Sequence, residues 1–186
     1  MNNKEKNSWK TLNSEVKFET PWIKVTKHDI LNPAGKPGIY GVVTFKNLAI
    51  GVIALDNDYN TWLVGQWRYP LDKYSWEIPE GGGPLDEEPL ASAKRELKEE
   101  TGIIAKKYTQ IAHMHTSNSA TTEYAILFVA QDLEFTEAEP EESEDLQIKK
   151  VPFKQAYDMV MSGEITDSLS MVTILKTKIL IDEGKL

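Results

Sequence analysis

Residues 81–103 read GGGPLDEEPLASAKRELKEETGI, and this run predicts a helix over residues 89–101. Pro89 suits a first helical turn, acidic residues flank it, and Gly102 suits the left-handed stop just past the end. At about 100° per residue, Glu96, Glu99 and Glu100 stand at i, i+3 and i+4 and share one face. Leu90, Ala93 and Leu97 form an adjoining stripe suited to packing on a sheet. One helix is therefore expected to anchor itself by one stripe and to present three carboxylates on the next.

Three carboxylates on one rigid face repel each other. A hard divalent cation relieves that repulsion, because Mg²⁺ takes oxygen ligands and shares them with substrate phosphates. The glycine-containing loop ahead of the helix lets the backbone approach closely, so a carbonyl such as that of Glu80 is a candidate fourth donor. The plainer reading of residues 94–100 is a solvated helix laced with charge pairs at i+3 and i+4. The complete spacing decides between them. Gly81, Glu87, Arg95, Glu96, Leu97, Glu99, Glu100, Gly102 and Ile103 fill every fixed place of G-x5-E-x7-R-E-U-x-E-E-x-G-U, where U is aliphatic. A chance match somewhere in the chain is on the order of one in ten million at ordinary residue frequencies.

Composition bounds the rest. The chain has 186 residues, 21 Lys+Arg against 29 Asp+Glu, a formal net charge of −8, and no cysteine. A chain of this length suits one domain with a self-sufficient core. The acidic balance argues against nucleic acid as a partner, since such binding needs a basic surface. The missing cysteines exclude a disulfide scaffold, thiolate zinc and cysteine nucleophiles. Residues 1–10 are polar, and no run reaches the roughly 18 apolar residues of a membrane span. A soluble, cytoplasmic protein without a membrane partner is the expectation.

Along the chain, residues 1–15 read as a loosely ordered leader. Strands are expected at 22–31, 39–45, 49–55 and 61–69, with turns at 32–35 and 56–58. Further strands are expected at 107–114, 124–130 and 146–151, and helices at 153–162 and 168–182. Gly163 suits the end of the first of these helices, and Asp167 suits the N-cap of the second. The order predicts a single α/β (α+β) domain over residues 1–186, a mixed sheet covered by helices.

The motif at 81–103 is the Nudix box, and the chain resembles the Nudix hydrolases. That resemblance implies an α/β/α sandwich with a mixed β-sheet and an N-terminal β-ribbon. It also implies hydrolysis of a nucleoside diphosphate linked to a further moiety. Glu96 and Glu100 would be the main Mg²⁺ ligands, with Glu99 assisting, the Glu80 carbonyl completing the set and Mn²⁺ as a substitute metal. Arg95 would orient Glu99 by a salt bridge, and Glu87 would support the loop.

Residues 65–69, GQWRY, residues 76–81, WEIPEG, and residues 163–168, GEITDS, resemble the ADP-ribose and nucleoside diphosphate sugar pyrophosphatase branch. In that branch Arg68 would contact a substrate phosphate, for which the planar guanidinium fork is suited. The N-terminal strands, residues 16–45, would form a homodimerisation element, with Trp22 and Tyr40 helping to build a partner's nucleobase pocket. A general base would come from an acidic loop at 137–145, Glu142 first and Glu144 second. Residues 134–145 hold seven acids in twelve positions and no basic residue, most of them expected to be solvated.

One departure concerns residues 116–120, TSNSA, where ADP-ribose pyrophosphatases often carry a proline turn. That leaves nucleotide sugars such as GDP-mannose at least as fitting as ADP-ribose. His113 and His115 share a strand face and are expected on the surface rather than as ligands. Trp62, Trp67 and Trp76 are expected in the core. Other readings are a nucleoside triphosphate pyrophosphohydrolase, a capped-RNA enzyme (disfavoured by the charge), and a sensor of Nudix fold that binds nucleotide sugars without cleaving them.

Overall fold

A computed structural model describes residues 6–138 and 145–186. They fall into two compact units. The first comprises Met1–Asn47 with Ser117–Glu123, and the second comprises Leu48–Thr116 with Tyr124–Leu186.

The first unit is a three-stranded antiparallel sheet, β1 (Lys10–Glu19), β2 (Ile23–Leu31) and β3 (Pro37–Phe45), in the order β1-β2-β3. Residues 10–15, expected as leader, are thus the start of a ten-residue strand. Leu12, Val16 and Phe18 carry a weak alternation within it, but every residue of β1 is exposed. No burial signal marks it in the sequence. Its backbone pairs along one edge with β2, from Lys10 opposite Leu31 to Glu19 opposite Lys24.

The 117–123 segment belongs to this unit. Val43 donates to the Ala120 carbonyl at 2.9 Å, and its own carbonyl accepts from Thr122 at 3.0 Å. The tight turn forms without proline, because Ala120 and Thr121 both donate to the Ser117 carbonyl, at 3.2 and 3.0 Å.

The second unit takes in β4 (Asn47–Ala54) from Leu48 onward and β5 (Asn60–Arg68), followed by a 3₁₀ turn at Tyr69–Leu71. Then come β6 (Lys73–Glu77), β7 (Glu80–Pro84), α1 (Pro89–Thr101), β8 (Ile103–His115), β9 (Tyr124–Phe135), β10 (Gln147–Pro152), α2 (Phe153–Ser162) and α3 (Ser168–Asp182). The sheet β7-β4-β9-β8 is mixed: β4 runs parallel to β9, with Ile50 opposite Ile126, and β9 runs antiparallel to β8. A second sheet, β10-β5-β6, is antiparallel.

Strand periodicity explains the layers. On β4, Ile50, Val52 and Ala54 point to a cluster with Ala93 and Leu97 of α1 and Phe128 of β9. The alternate residues Ile53 and Leu55 join Leu127 and Val129, with Leu169 and Ile174 of α3. A strand covered on both faces reads as a continuous apolar run, as residues 49–55 do. Each fully buried Ile or Leu contributes about 2 kcal/mol of hydrophobic stabilisation. The expected α/β/α layering with a mixed sheet is present.

The helix limits at 89–101, 153–162 and 168–182 match expectation, with Gly102 and Gly163 left-handed at φ 69° and 79°. Asp167 caps α3, its carboxylate accepting from the Ser170 N–H at 2.7 Å. Three details differ. β8 and β9 extend to 103 and 135, where Ile103 pairs with Phe135. The glycine triplet lies in β7 rather than in an open loop, and a Cβ on Gly83 would stand 3.0 Å from Ile50. Leu90 is exposed and off the packed stripe.

Candidate active site

The buried face of α1 carries Ser92, Ala93, Glu96, Leu97 and Glu100. Two of the three carboxylates expected beside the anchoring stripe are therefore part of it. Glu100 is 1% exposed and Glu96 is also buried, while Glu99 is half-buried. Carboxylates at such depth require partners. The Glu80 N–H donates to Glu100 Oε2 at 2.9 Å. Glu96 lies against Gly81 so closely that a Cβ there would stand 2.2 Å from its carboxylate carbon. Only glycine admits that approach.

Arg95 ties this face together. Its Nη1 donates to Glu96 Oε1 at 2.7 Å and to Glu99 Oε2 at 3.2 Å, and its Nη2 donates to the Gly82 carbonyl at 3.0 Å. Burial opposes its charge, but Glu96 and Glu99 outweigh that and hold the guanidinium above its ordinary range. Glu87 lies 3.8 Å from Arg95 Nη2 and accepts a hydrogen bond from the Ser92 hydroxyl.

A second charged cluster adjoins through Glu80. Arg68, at the end of β5, donates from Nε to both oxygens of Glu77 at 3.0 Å. Its Nη2 donates to Glu77 and, at 2.8 Å, to Glu80 Oε1. Glu77 is 2% exposed. Burial lowers the Arg68 pKa, yet Glu77 and Glu80 more than reverse it, so the guanidinium stays charged. Burial first, then Asp167 and Glu77, push the Glu80 carboxyl well above the usual carboxylate range, with Arg68 opposing. The Ile78 N–H donates to Ser170 Oγ at 2.9 Å, which fastens this segment to the start of α3.

Glu77 and Asp167 in this cluster were not singled out as site residues by sequence. The signal was a charged residue inside the apolar run Trp76-Glu77-Ile78, and for Asp167 its reading as a cap. Arg68 was expected to face substrate; its Nε and Nη2 edge faces carboxylates.

Of the remaining sequence candidates, Tyr40 is half-buried and its ring meets Trp9 edge-on at 5.6 Å between centroids. Both line a cavity of about 350 Å³ with Asn7, Thr11, His28 and Val42 in the first unit. Trp22 is 67% exposed and is not among its lining residues. Glu142 and Glu144 lie outside the described residues. His113 and His115 are exposed and pack on the Tyr124 ring, at 5.8 and 4.9 Å. Trp62 is buried and Trp76 half-buried, but Trp67 is 60% exposed, contrary to expectation. It stands one residue before the end of β5, opposite exposed Tyr74, so little of the sheet remains to cover it.

Among the described residues no group of three or more His, Asp or Glu side chains is gathered into a ready metal cage. Arg95 stands between Glu96 and Glu99 and neutralises them instead. The donor set still fits a hard cation. It is all oxygen, its carboxylates share one helical face, and the missing Cβ of Gly81 leaves the backbone within reach of Glu96. Glu96, Glu99, Glu100 and the Glu80 carbonyl are the groups that would hold Mg²⁺.

Among the described residues no helix is long and apolar enough to cross a membrane. Residues 45–167 match the NUDIX domain, and residues 9–43 match the nucleoside diphosphate sugar hydrolase N-terminal domain. The chain is 33% identical over 167 residues to an ADP-ribose pyrophosphatase of Bacillus subtilis (strain 168), covering 89% of this chain and 90% of that protein. It is 30% identical over 128 residues to a GDP-mannose pyrophosphatase of Escherichia coli O9:H4 (strain HS), covering 66% and 64%. The crystal structure of an ADP compounds hydrolase superposes with a TM-score of 0.85 at 20% identity, covering 97% of this chain and 98% of that one. The helix that buries Glu96 and Glu100 against Glu80 and Gly81 is thus the Nudix box in its structural setting, and the chain belongs to the Nudix hydrolases.

Proposed function

We propose that this hydrolase cleaves the pyrophosphate bond of ADP-ribose or of a nucleoside diphosphate sugar such as GDP-mannose, in a Mg²⁺-dependent reaction. The products are a nucleoside monophosphate and a sugar phosphate. The observation that carries the reading is the α1 face, where Glu96 and Glu100 are buried against the Glu80–Gly81 backbone. The two matched relatives named as pyrophosphatases support the substrate class.

When bound, Mg²⁺ would supply charge neutralisation at the phosphates and a lower pKa for attacking water, and Mn²⁺ would substitute for it. Glu96, Glu99, Glu100 and the Glu80 carbonyl would hold the cation, and Arg95 orients Glu99. Arg68 directs its Nη1 to a substrate phosphate while its other edge stays on Glu77 and Glu80. Water attacks one phosphorus in line and displaces the bridging oxygen, which leaves on the other phosphate, while a carboxylate of the acidic loop, Glu142 or else Glu144, takes the water's proton. Trp22 and Tyr40 contact the nucleobase in a cytoplasmic homodimer built through the N-terminal strands.

The test is a Mg²⁺-dependent panel of ADP-ribose, GDP-mannose, UDP-glucose, ADP-glucose and nucleoside triphosphates. A monoester-specific phosphatase reports the products, with enzyme-free controls for the triphosphates. Turnover dominated by one diphosphate-linked sugar supports the proposal. Preference for triphosphates would replace it with a triphosphate pyrophosphohydrolase, and tight binding without turnover would replace it with a sensor.

A further inference from the structure

Residue 80 is fastened from several sides. Its N–H donates to Glu100 at 2.9 Å, and its side chain accepts from Arg68 at 2.8 Å. The preceding carbonyl, of Pro79, accepts from the Val52 N–H on β4 at 2.9 Å, and the Gly82 carbonyl accepts from Arg95 at 3.0 Å. Arg68 is itself immobilised by a two-oxygen contact with buried Glu77. The stretch 79–82 is therefore latched by one arginine from β5 and another from α1.

A carboxyl at position 80 is costly where it stands. It is largely buried, with the carboxylates of Asp167 and Glu77 close by. A residue with no side-chain charge would avoid that penalty. What the glutamate adds to a backbone that already belongs to β7 is a link to Arg68, alongside its contact with the Asp167 side chain.

We infer that the Glu80 side chain is a positioning group: clasped by Arg68, it fixes the peptide at residue 80 in register with the Glu96/Glu100 face. This rests on the proposed reading that the Glu80 backbone serves that face. The side chain makes no contact with substrate in this role. It acts through its own peptide, which Glu100 grips from the other side.

The test uses Glu80→Ala and Glu80→Gln in the full chain. Glu80→Ala leaves the Arg68–Glu77 contact in place and removes a buried acid, so its fold is retained, as a thermal melt will verify. Mn²⁺ binding, measured by calorimetry and by electron paramagnetic resonance without substrate, is expected to weaken about tenfold or more in Glu80→Ala, as for other groups that orient metal ligands. Glu80→Gln keeps an oxygen for Arg68 and is expected to restore binding to within about threefold, the direct ligand set being intact. Amide exchange over residues 78–84 of the metal-free protein is expected to quicken in Glu80→Ala alone.

Unchanged Mn²⁺ affinity and exchange in Glu80→Ala would overturn the inference while leaving the proposed function standing. Equal weakening in Glu80→Gln would also overturn it, since the link to Arg68 would then be irrelevant. A parent protein that binds no Mn²⁺ would instead remove the metal-holding reading on which the inference rests.

Discussion

A methyl group at position 81 would fall 2.2 Å from the Glu96 carboxylate, so Gly81→Ala must push either the strand or the acid aside. The expected result is a folded protein with activity lowered about 10- to 100-fold, the range for a displaced ligand support; unaltered turnover would mean that Glu96 does not need its place. Glu100→Gln is gentler on the structure, because the amide oxygen still accepts from the Glu80 N–H, yet it deletes a charge from the proposed cation face. Its kcat should fall at least about 10²- to 10³-fold with the circular dichroism spectrum unchanged, as for loss of one transition-state stabilising group. Near-normal turnover would take Glu100 out of the site. Arg68→Ala is different, since it strands Glu77, 2% exposed, without its two-oxygen partner. Removing one partner of a buried ion pair costs about 3–5 kcal/mol, with the lower end fitting here because a third of the Arg68 side chain is exposed. A urea titration should therefore show a large stability loss alongside a higher KM, and a protein of unchanged stability would contradict the buried pair.

Between β4 and β5 the chain turns through residues 55–59 on a single carboxylate. Asp56 accepts from the N–H of Asn60 at 2.7 Å and of Asp58 at 3.0 Å, and meets Lys150 at 3.0 Å. Burial alone would raise its pKa, but the bonds to Asn60, Lys150 and Asp58 together carry it below the ordinary carboxylate value. A folded value below the unfolded one means that the folded chain binds fewer protons there. The stabilisation is complete above the unfolded value of about 3.9 and is lost as pH falls through the folded one. Asp56→Ala should cost about 1–3 kcal/mol at pH 7, and the gap from the parent should narrow in urea titrations near pH 3; a constant gap would show that the charge is irrelevant. Elements punctuated this way were legible in the sequence. Pro89 with Gly102, Gly163, and Asp167 bound their helices because caps act within a turn of the chain, and the Nudix carboxylates were legible because helical spacing is local. β1 was not, since it buries none of its residues, and β7 was not, since its three glycines resemble a loop until Ser92, Ile50 and Glu96 close on them. The Arg68–Glu77–Glu80–Asp167 cluster joins β5, β6, β7 and the cap of α3, and no spacing rule within one element could have assembled it.

At the scale of the molecule, the two units differ in how they satisfy their apolar residues. The second encloses two packed clusters, one under α1 and one under α2 and α3, so it has the core that independent folding requires. The first is a three-stranded sheet on which Trp9, Leu12, Val16, Phe18, Trp22 and Ile39 are all exposed. Exposed apolar residues in that number are characteristic of interaction surfaces, and β1 adds an edge whose backbone groups can pair. The match of residues 9–43 to a separate N-terminal domain coincides with this sheet. A second copy of the chain is the occupant proposed for it. Removing residues 1–46, which carry all three strands, should leave a protein that still melts cooperatively, because both clusters lie beyond the cut. In sedimentation velocity the full chain should run as a dimer and the shortened one as a monomer. A shortened protein that remains dimeric would place the interface on the second unit, and a full chain that is monomeric would leave the exposed sheet to another partner.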